Sequence, residues 1–195
     1  MRQKVLLVDD SLRSRAPLKK ALGGFGFEIV EGASGLEAVR LAKELRPDIL
    51  LIAVGLPDLD GIQASGRIME SHPLPIIVLT SHHDLETVER AKVAGVMAYL
   101  LKPVREDQLR PAVEVASARF REFMALRVQN EDLKRTLEAR KLIERAKGIL
   151  MKREGLSEAE AFHRIQKVSM ERRKPMVEVA EAILLSEEVA GRKGR

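Results

Sequence analysis

The chain has 195 residues, 45% of them hydrophobic, and a formal net charge of +5, enough for one good core and a second, smaller one. It has no cysteine, which excludes disulfides, thiolate nucleophiles and cysteine zinc sites; four scattered histidines are poor substitutes, so any metal must sit on carboxylates. No apolar run reaches the roughly 18 residues that cross a bilayer, and the opening Met1 to Val8 meets Asp9-Asp10 instead of a small-residue cleavage site, so a cytoplasmic location with no membrane partner is expected.

Short apolar runs alternate with amphipathic stretches through the first half. Val5 to Val8, Phe27 to Val30, Ile49 to Val54, Ile76 to Leu79 and Ala98 to Leu101 are strand-length and aliphatic, while segments such as Gly35 to Glu44 and Leu85 to Ala94 carry helical periodicity. Near-continuous apolar strands separated by helices predict a five-stranded parallel sheet covered on both faces by five helices. Sites in such open sheets form beyond the carboxyl ends of the strands. There Val8 runs into Asp9-Asp10, Leu79 into Thr80-Ser81 and Leu101 into Lys102-Pro103. An acid pair suits a hard cation such as Mg²⁺, and a fixed hydroxyl with an ammonium can hold phosphoryl oxygens. Polar residues also end strands that carry no site.

Taken in order, these residues resemble the receiver domain of bacterial response regulators over residues 1–118, a doubly wound α/β fold of the flavodoxin-like kind. The resemblance implies that Asp9 and Asp10 are metal-binding acids, Thr80 the switch hydroxyl, Tyr99 the switch aromatic and Lys102 the phosphate-pairing lysine. Leu56-Pro57-Asp58-Leu59-Asp60-Gly61 matches the turn after the third strand, and the Lys102-Pro103 bond is expected to be cis. A histidine kinase, or a regulatory partner protein, is the implied partner. The chain departs from the family pattern where the phosphate-accepting aspartate is placed, because Ala53 stands there. A methyl group can neither attack phosphorus nor complete a metal site. The domain is therefore expected either to work without phosphorylation or to carry a silencing substitution, and to bind Mg²⁺ in roughly the millimolar range or more weakly. Asp58 and Asp60 are alternative acceptors, although turn chemistry explains acids there just as well.

No Gly or Pro interrupts Ala112 to Lys147, so a helix from Glu106, kinked near Pro111, is expected to continue through a linker of residues 119–137. Placing Phe123, Asn130 and Leu137 at a, with Leu126 and Leu133 at d, gives just over two heptads of coiled-coil seam. A lone Asn at a favours an in-register homodimer at some cost in stability. A helix packed against its own domain is the alternative.

Charge is unevenly placed, with 15 Lys/Arg against 16 Asp/Glu up to Ala118 and 19 against 13 from Arg119 onward. The basic half points to a polyanion, against the plainer reading of a soluble basic bundle. Residues 138–190 read as three helices, followed by a basic tail at 191–195. The first, about Glu138 to Arg153, buries Leu142, Ile143, Ala146, Ile149 and Leu150 and ends near Gly155. Ser157-Glu158-Ala159-Glu160 is a capping box opening the second, with Ala161, Phe162, Ile165 and Val168 inward. Pro175 opens the third, with Met176, Val179, Ala180, Ile183 and Leu184 inward. On these stripes Phe162 and the methionines are core filling.

Opposite the stripes, Lys141, Arg145 and Lys152 share one face of the first helix with Gly148 between them, and Arg164 and Lys167 share one face of the second. With Arg172-Arg173-Lys174 in the next turn, and with Lys147 and Arg153, they form the candidate nucleic-acid contacts. Gly148 serves either close backbone approach or tight helix packing. Ala146-Lys147-Gly148-Ile149-Leu150-Met151, Leu156 to Phe162, Ser169-Met170 and Glu178-Val179-Ala180 also resemble the ANTAR domain, the antitermination module of response regulators. That resemblance implies binding to paired RNA stem-loops in a nascent leader transcript, which keeps an overlapping terminator hairpin from forming. The scarcity of aromatics suggests readout by hydrogen bonding and Arg stacking. A DNA-binding transcription factor is the alternative, although Met170 to Lys174 lacks the short Gly-containing turn of a helix-turn-helix. Catalysis is not expected, since no nucleophile has a neighbouring base and no Gly-rich phosphate loop is present.

Overall fold

The structure, a computed structural model, describes residues 2–81 and 85–192, with side chains up to residue 189 in the last helix. Two compact units emerge, Met1–Ala125 and Leu126–Arg195.

In the first unit the aliphatic runs form β1 (Lys4–Val8), β2 (Glu28–Gly32), β3 (Ile49–Ala53), β4 (Ile76–Thr80) and β5 (Ala98–Leu101). Neighbours pair in parallel in the order β2-β1-β3-β4-β5. β2 lies later than its apolar run suggests because Gly32, opposite Val8, is still in register with β1. The crossovers are α1 (Leu12–Gly24), α2 (Gly35–Leu45), α3 (Gly61–Ser71) and α4 (Leu85–Val93), and α5 (Glu106–Glu154) follows β5. Strand alternation sorts the core into two layers. Leu6 and Val8 enter one with Ala38 and Leu41 of α2 and Ala64 and Ile68 of α3. Val5 and Leu7 enter the other with Leu18 and Leu22 of α1 and Leu109 and Val113 of α5. Gly61 is required where it stands: a Cβ there would lie 1.9 Å from the Ala53 carbonyl oxygen, so the turn after β3 folds back on the strand end.

The second unit comprises the later part of α5, α6 (Glu158–Arg172) and α7 (Met176–Arg192). α5 runs through Pro111 and residues 119–137 without interruption, so neither the linker nor Glu138 begins a separate element. Gly155, at φ 70°, ends it. The capping box forms as expected: the Ser157 N–H donates to Glu160 Oε2 at 2.8 Å, and the Glu160 N–H to Ser157 Oγ at 3.4 Å. Ala146, Leu150, Ala161, Ile165, Val179 and Ala180 make the core, with Val168, Met176 and Ile183 at its edge. Phe162 corrects one expectation. It is 43% exposed, because Ala161, Ile165 and Val168 define the buried seam and the next residue round the helix falls off it. Met170 is exposed for the same reason. Of the basic tail, residues 193–195 lie outside the described residues.

Candidate functional site

Strand register builds the first site. Val8 stands opposite Ile52, and Ala53 opposite Leu79, so Asp9, Ala53 and Thr80 become neighbours at the carboxyl edge of the sheet. Strand order reverses between β1 and β3, the usual place for a ligand crevice in an open sheet. Asp9 is fully buried and its carboxylate is heavily engaged. It accepts from the Ser11 N–H at 3.0 Å and the Ser14 hydroxyl at 2.8 Å, and pairs with Lys102 Nζ at 2.5 Å. Arg15 donates to the Asp9 carbonyl at 2.6 Å, fixing the strand end to α1. Thr80 is buried, and its carbonyl accepts from the Lys102 N–H at 2.8 Å. The Lys102–Pro103 bond is cis, as expected. Asp10 is exposed, Tyr99 is 50% exposed at the edge strand, and the Ala53 methyl is buried.

These residues fit Mg²⁺ poorly. The Lys102 ammonium already supplies positive charge to Asp9, which leaves Asp10 as the free acid, and among the described residues no group of three acids or histidines converges. Ser14 and Arg15 were not singled out from the sequence. The available signal was Ser11, a helix N-cap that places Ser14 one turn on, facing back to β1.

Asp58 and Asp60 have structural work. Asp58 accepts from the N–H groups of Gly35 at 2.8 Å, Leu36 at 3.3 Å and Leu59 at 2.7 Å, so it tethers the start of α2. Burial pushes its carboxyl up, but hydrogen bonds from Ser34 and those three amides prevail and hold it at about 2. Asp60 caps α3 through Ile62 and Gln63 and pairs with Arg90 at 2.9 Å.

In the second unit, Lys147 leaves the set of candidate contacts. It is 6% exposed, and its ammonium reaches Glu144 at 2.9 Å and Glu158 at 2.7 Å, tying α5 to the start of α6. The hydrogen bonds it donates to Glu158 and Glu144 raise its pKa, so it stays charged inside. The physical reason is the two carboxylates, one a turn earlier on α5 and one at the start of α6, that hold its ammonium. The other nine cations are exposed. Lys141 pairs with Glu138, Arg153 and Arg164 with Glu154, Lys167 with Glu171 and Lys174 with Glu178. Such surface pairs are worth little and exchange readily. Arg145, Lys152, Arg172 and Arg173 have no ion pair among the described residues. Arg173 takes a left-handed backbone at the end of α6, which turns the basic run outward before α7.

A parallel sheet with an acid, a hydroxyl and a lysine at its carboxyl edge defines a receiver-type signalling protein. The model of the response regulator receiver domain matches residues 5–114, and that of the ANTAR domain residues 131–184. The transcriptional regulatory protein PdtaR of Mycobacterium tuberculosis is 44% identical over 183 residues, covering 93% of this chain and 89% of that protein. The chain belongs to the response regulators that join an amino-terminal receiver to a carboxy-terminal ANTAR domain. Over the receiver alone, the positive alginate biosynthesis regulatory protein of Pseudomonas aeruginosa is 36% identical, covering 58% of this chain and 46% of that one. The signal receiver domain of a modulated diguanylate cyclase from Desulfovibrio desulfuricans G20 superposes with a TM-score of 0.58 at 37% identity, covering 62% of this chain and 98% of that one. No helix among the described residues is long and apolar enough to cross a membrane.

Proposed function

We propose that the chain is a transcription antiterminator that binds paired stem-loops in nascent RNA. Nine exposed cations on the ANTAR unit carry this reading, four of them without a carboxylate partner among the described residues. Lys141, Arg145, Lys152, Arg153, Arg164 and Lys167, with Arg172 to Lys174, supply the phosphate contacts. Phe162, exposed on α6, adds an aromatic face on which a loop base can stack. No reacting group is assigned to either unit, and the protein acts by binding alone.

Ala53 removes the acceptor carboxylate, so the receiver works without phosphorylation, or in a form whose switch is silenced. The buried Ala53 methyl supports this reading, since it offers no oxygen either to phosphorus or to a metal. Mg²⁺ binding is weak. A histidine kinase or a regulatory protein docks on the receiver in the cytoplasm. Phe123, Leu126, Leu133 and Leu137, all exposed in one chain, close a homodimer seam about Asn130 and bring two ANTAR units to two adjacent hairpins.

Selection of bound transcripts from the host's own RNA tests the function. Enrichment of leaders with two adjacent hairpins ahead of a terminator is the expected result. Enrichment without hairpins, or no enrichment, contradicts it.

A further inference from the structure

Gly148 lies six residues before the end of α5, where glycine costs about 1 kcal/mol relative to alanine. Two reasons internal to the fold fail to account for it. Its φ is not in the left-handed region, unlike that of Gly155. A Cβ built on it would meet nothing within 4 Å, so no neighbouring helix needs the space. Tight helix packing, one of the two readings of this residue, is thereby excluded among the described residues.

What surrounds Gly148 is a groove of about 540 Å³ between α5 and α7. Arg145, Lys152 and Arg153 line it from α5, and Leu184 and Glu187 from α7. Arg145 is three residues before Gly148 and Lys152 four after, so both flank it on the same helix face, about 10 Å apart along the axis. Neither has an ion pair among the described residues. A bare strip of helix backbone between two free cations, with three positive charges against one negative in the groove, complements an anionic chain.

We infer that Gly148 is where the phosphodiester backbone of the bound RNA comes into van der Waals contact with α5, straddled by Arg145 and Lys152. This rests on the RNA-binding reading and adds the place of closest approach. Glycine is kept at a cost to helix stability because a methyl group would hold the phosphates away from both cations.

Stability and binding therefore move in opposite directions. In the full chain, Gly148→Ala raises or preserves the unfolding temperature, because alanine favours the helix and has room. Its affinity for a two-hairpin RNA, selected by the wild-type chain from a random-loop pool, falls about tenfold, the scale of one charge-assisted contact. Glu187→Gln, which removes the groove's carboxylate, strengthens binding. Wild-type affinity in Gly148→Ala overturns the inference while RNA binding itself stands, and so does weaker binding by Glu187→Gln. A shift in the monomer–dimer equilibrium of Gly148→Ala at unchanged RNA affinity also overturns it, assigning the groove to a second copy of the chain. If the wild-type chain selects no RNA, the functional reading fails first and the inference with it.

Discussion

At residue 53 a methyl group stands beside Asp9 and Thr80 at the carboxyl edge of the sheet, where Asp9 pairs with Lys102. Ala53→Asp returns a carboxylate to that edge, and the protein should then take up a phosphoryl group from a small-molecule donor, detected by intact mass. A restored protein that stays unmodified contradicts the silenced-switch reading. Magnesium titration of the unaltered chain should give roughly millimolar affinity or weaker. Asp58 has a separate signature. Its folded pKa of about 2 lies below the ordinary 3.8, so its contribution to stability is complete above pH 3.8 and is lost as pH falls towards 2. Asp58→Asn should flatten acid unfolding of the first unit across that window, measured by circular dichroism. Lys147 shows the limit of reading charge from sequence, since a lysine in a basic run reads as solvated until the Glu144 and Glu158 carboxylates are seen to enclose it. The notion that every cation between Lys141 and Lys174 faces a ligand fails at this residue.

At the level of elements, the strands and helices of the first unit were legible because aliphatic runs and helical periodicity alternate so regularly. The strand ends were legible for the same reason, since Asp9, Thr80 and Lys102 each follow directly on an apolar run. What periodicity did not reveal was how Asp9 is held, because the Ser14 hydroxyl and Arg15 guanidinium reach it from a helix whose sequence shows no unusual pattern. In the second unit, punctuation at Gly155, Ser157 and Pro175 marked the helix limits, while the facing of Phe162 depended on which neighbours sealed the seam. That core is small. Ile165, fully buried between α5 and α7, should cost about 2–5 kcal/mol when truncated to alanine. A single core below about 70 residues rarely supplies more than 3–5 kcal/mol. Ile165→Ala should therefore abolish RNA binding and melt the second unit, with the first unit's unfolding transition unchanged by calorimetry. Phe162→Ala leaves the core intact and should weaken RNA binding by about 1–3 kcal/mol at near-normal stability.

For the whole molecule, the proposed function requires two ANTAR units to be held side by side. If dimerisation through residues 119–137 aligns two ANTAR units, Leu133→Lys should yield monomers in sedimentation. It should also lower affinity for a two-hairpin RNA by about 10²-fold or more while single-hairpin affinity stays the same. A loss of single-hairpin affinity with sedimentation unchanged would assign Leu133 to the RNA surface instead.

The most direct test of the central claim, that free and loosely paired cations on α5, α6 and the turn after α6 hold folded RNA, is a salt titration of binding by the full chain. Affinity for a two-hairpin RNA should fall steeply and linearly in log–log form with rising salt, and should exceed that for a random DNA duplex at every concentration. Equal affinity for the two nucleic acids, or RNA binding that ignores salt, would contradict it.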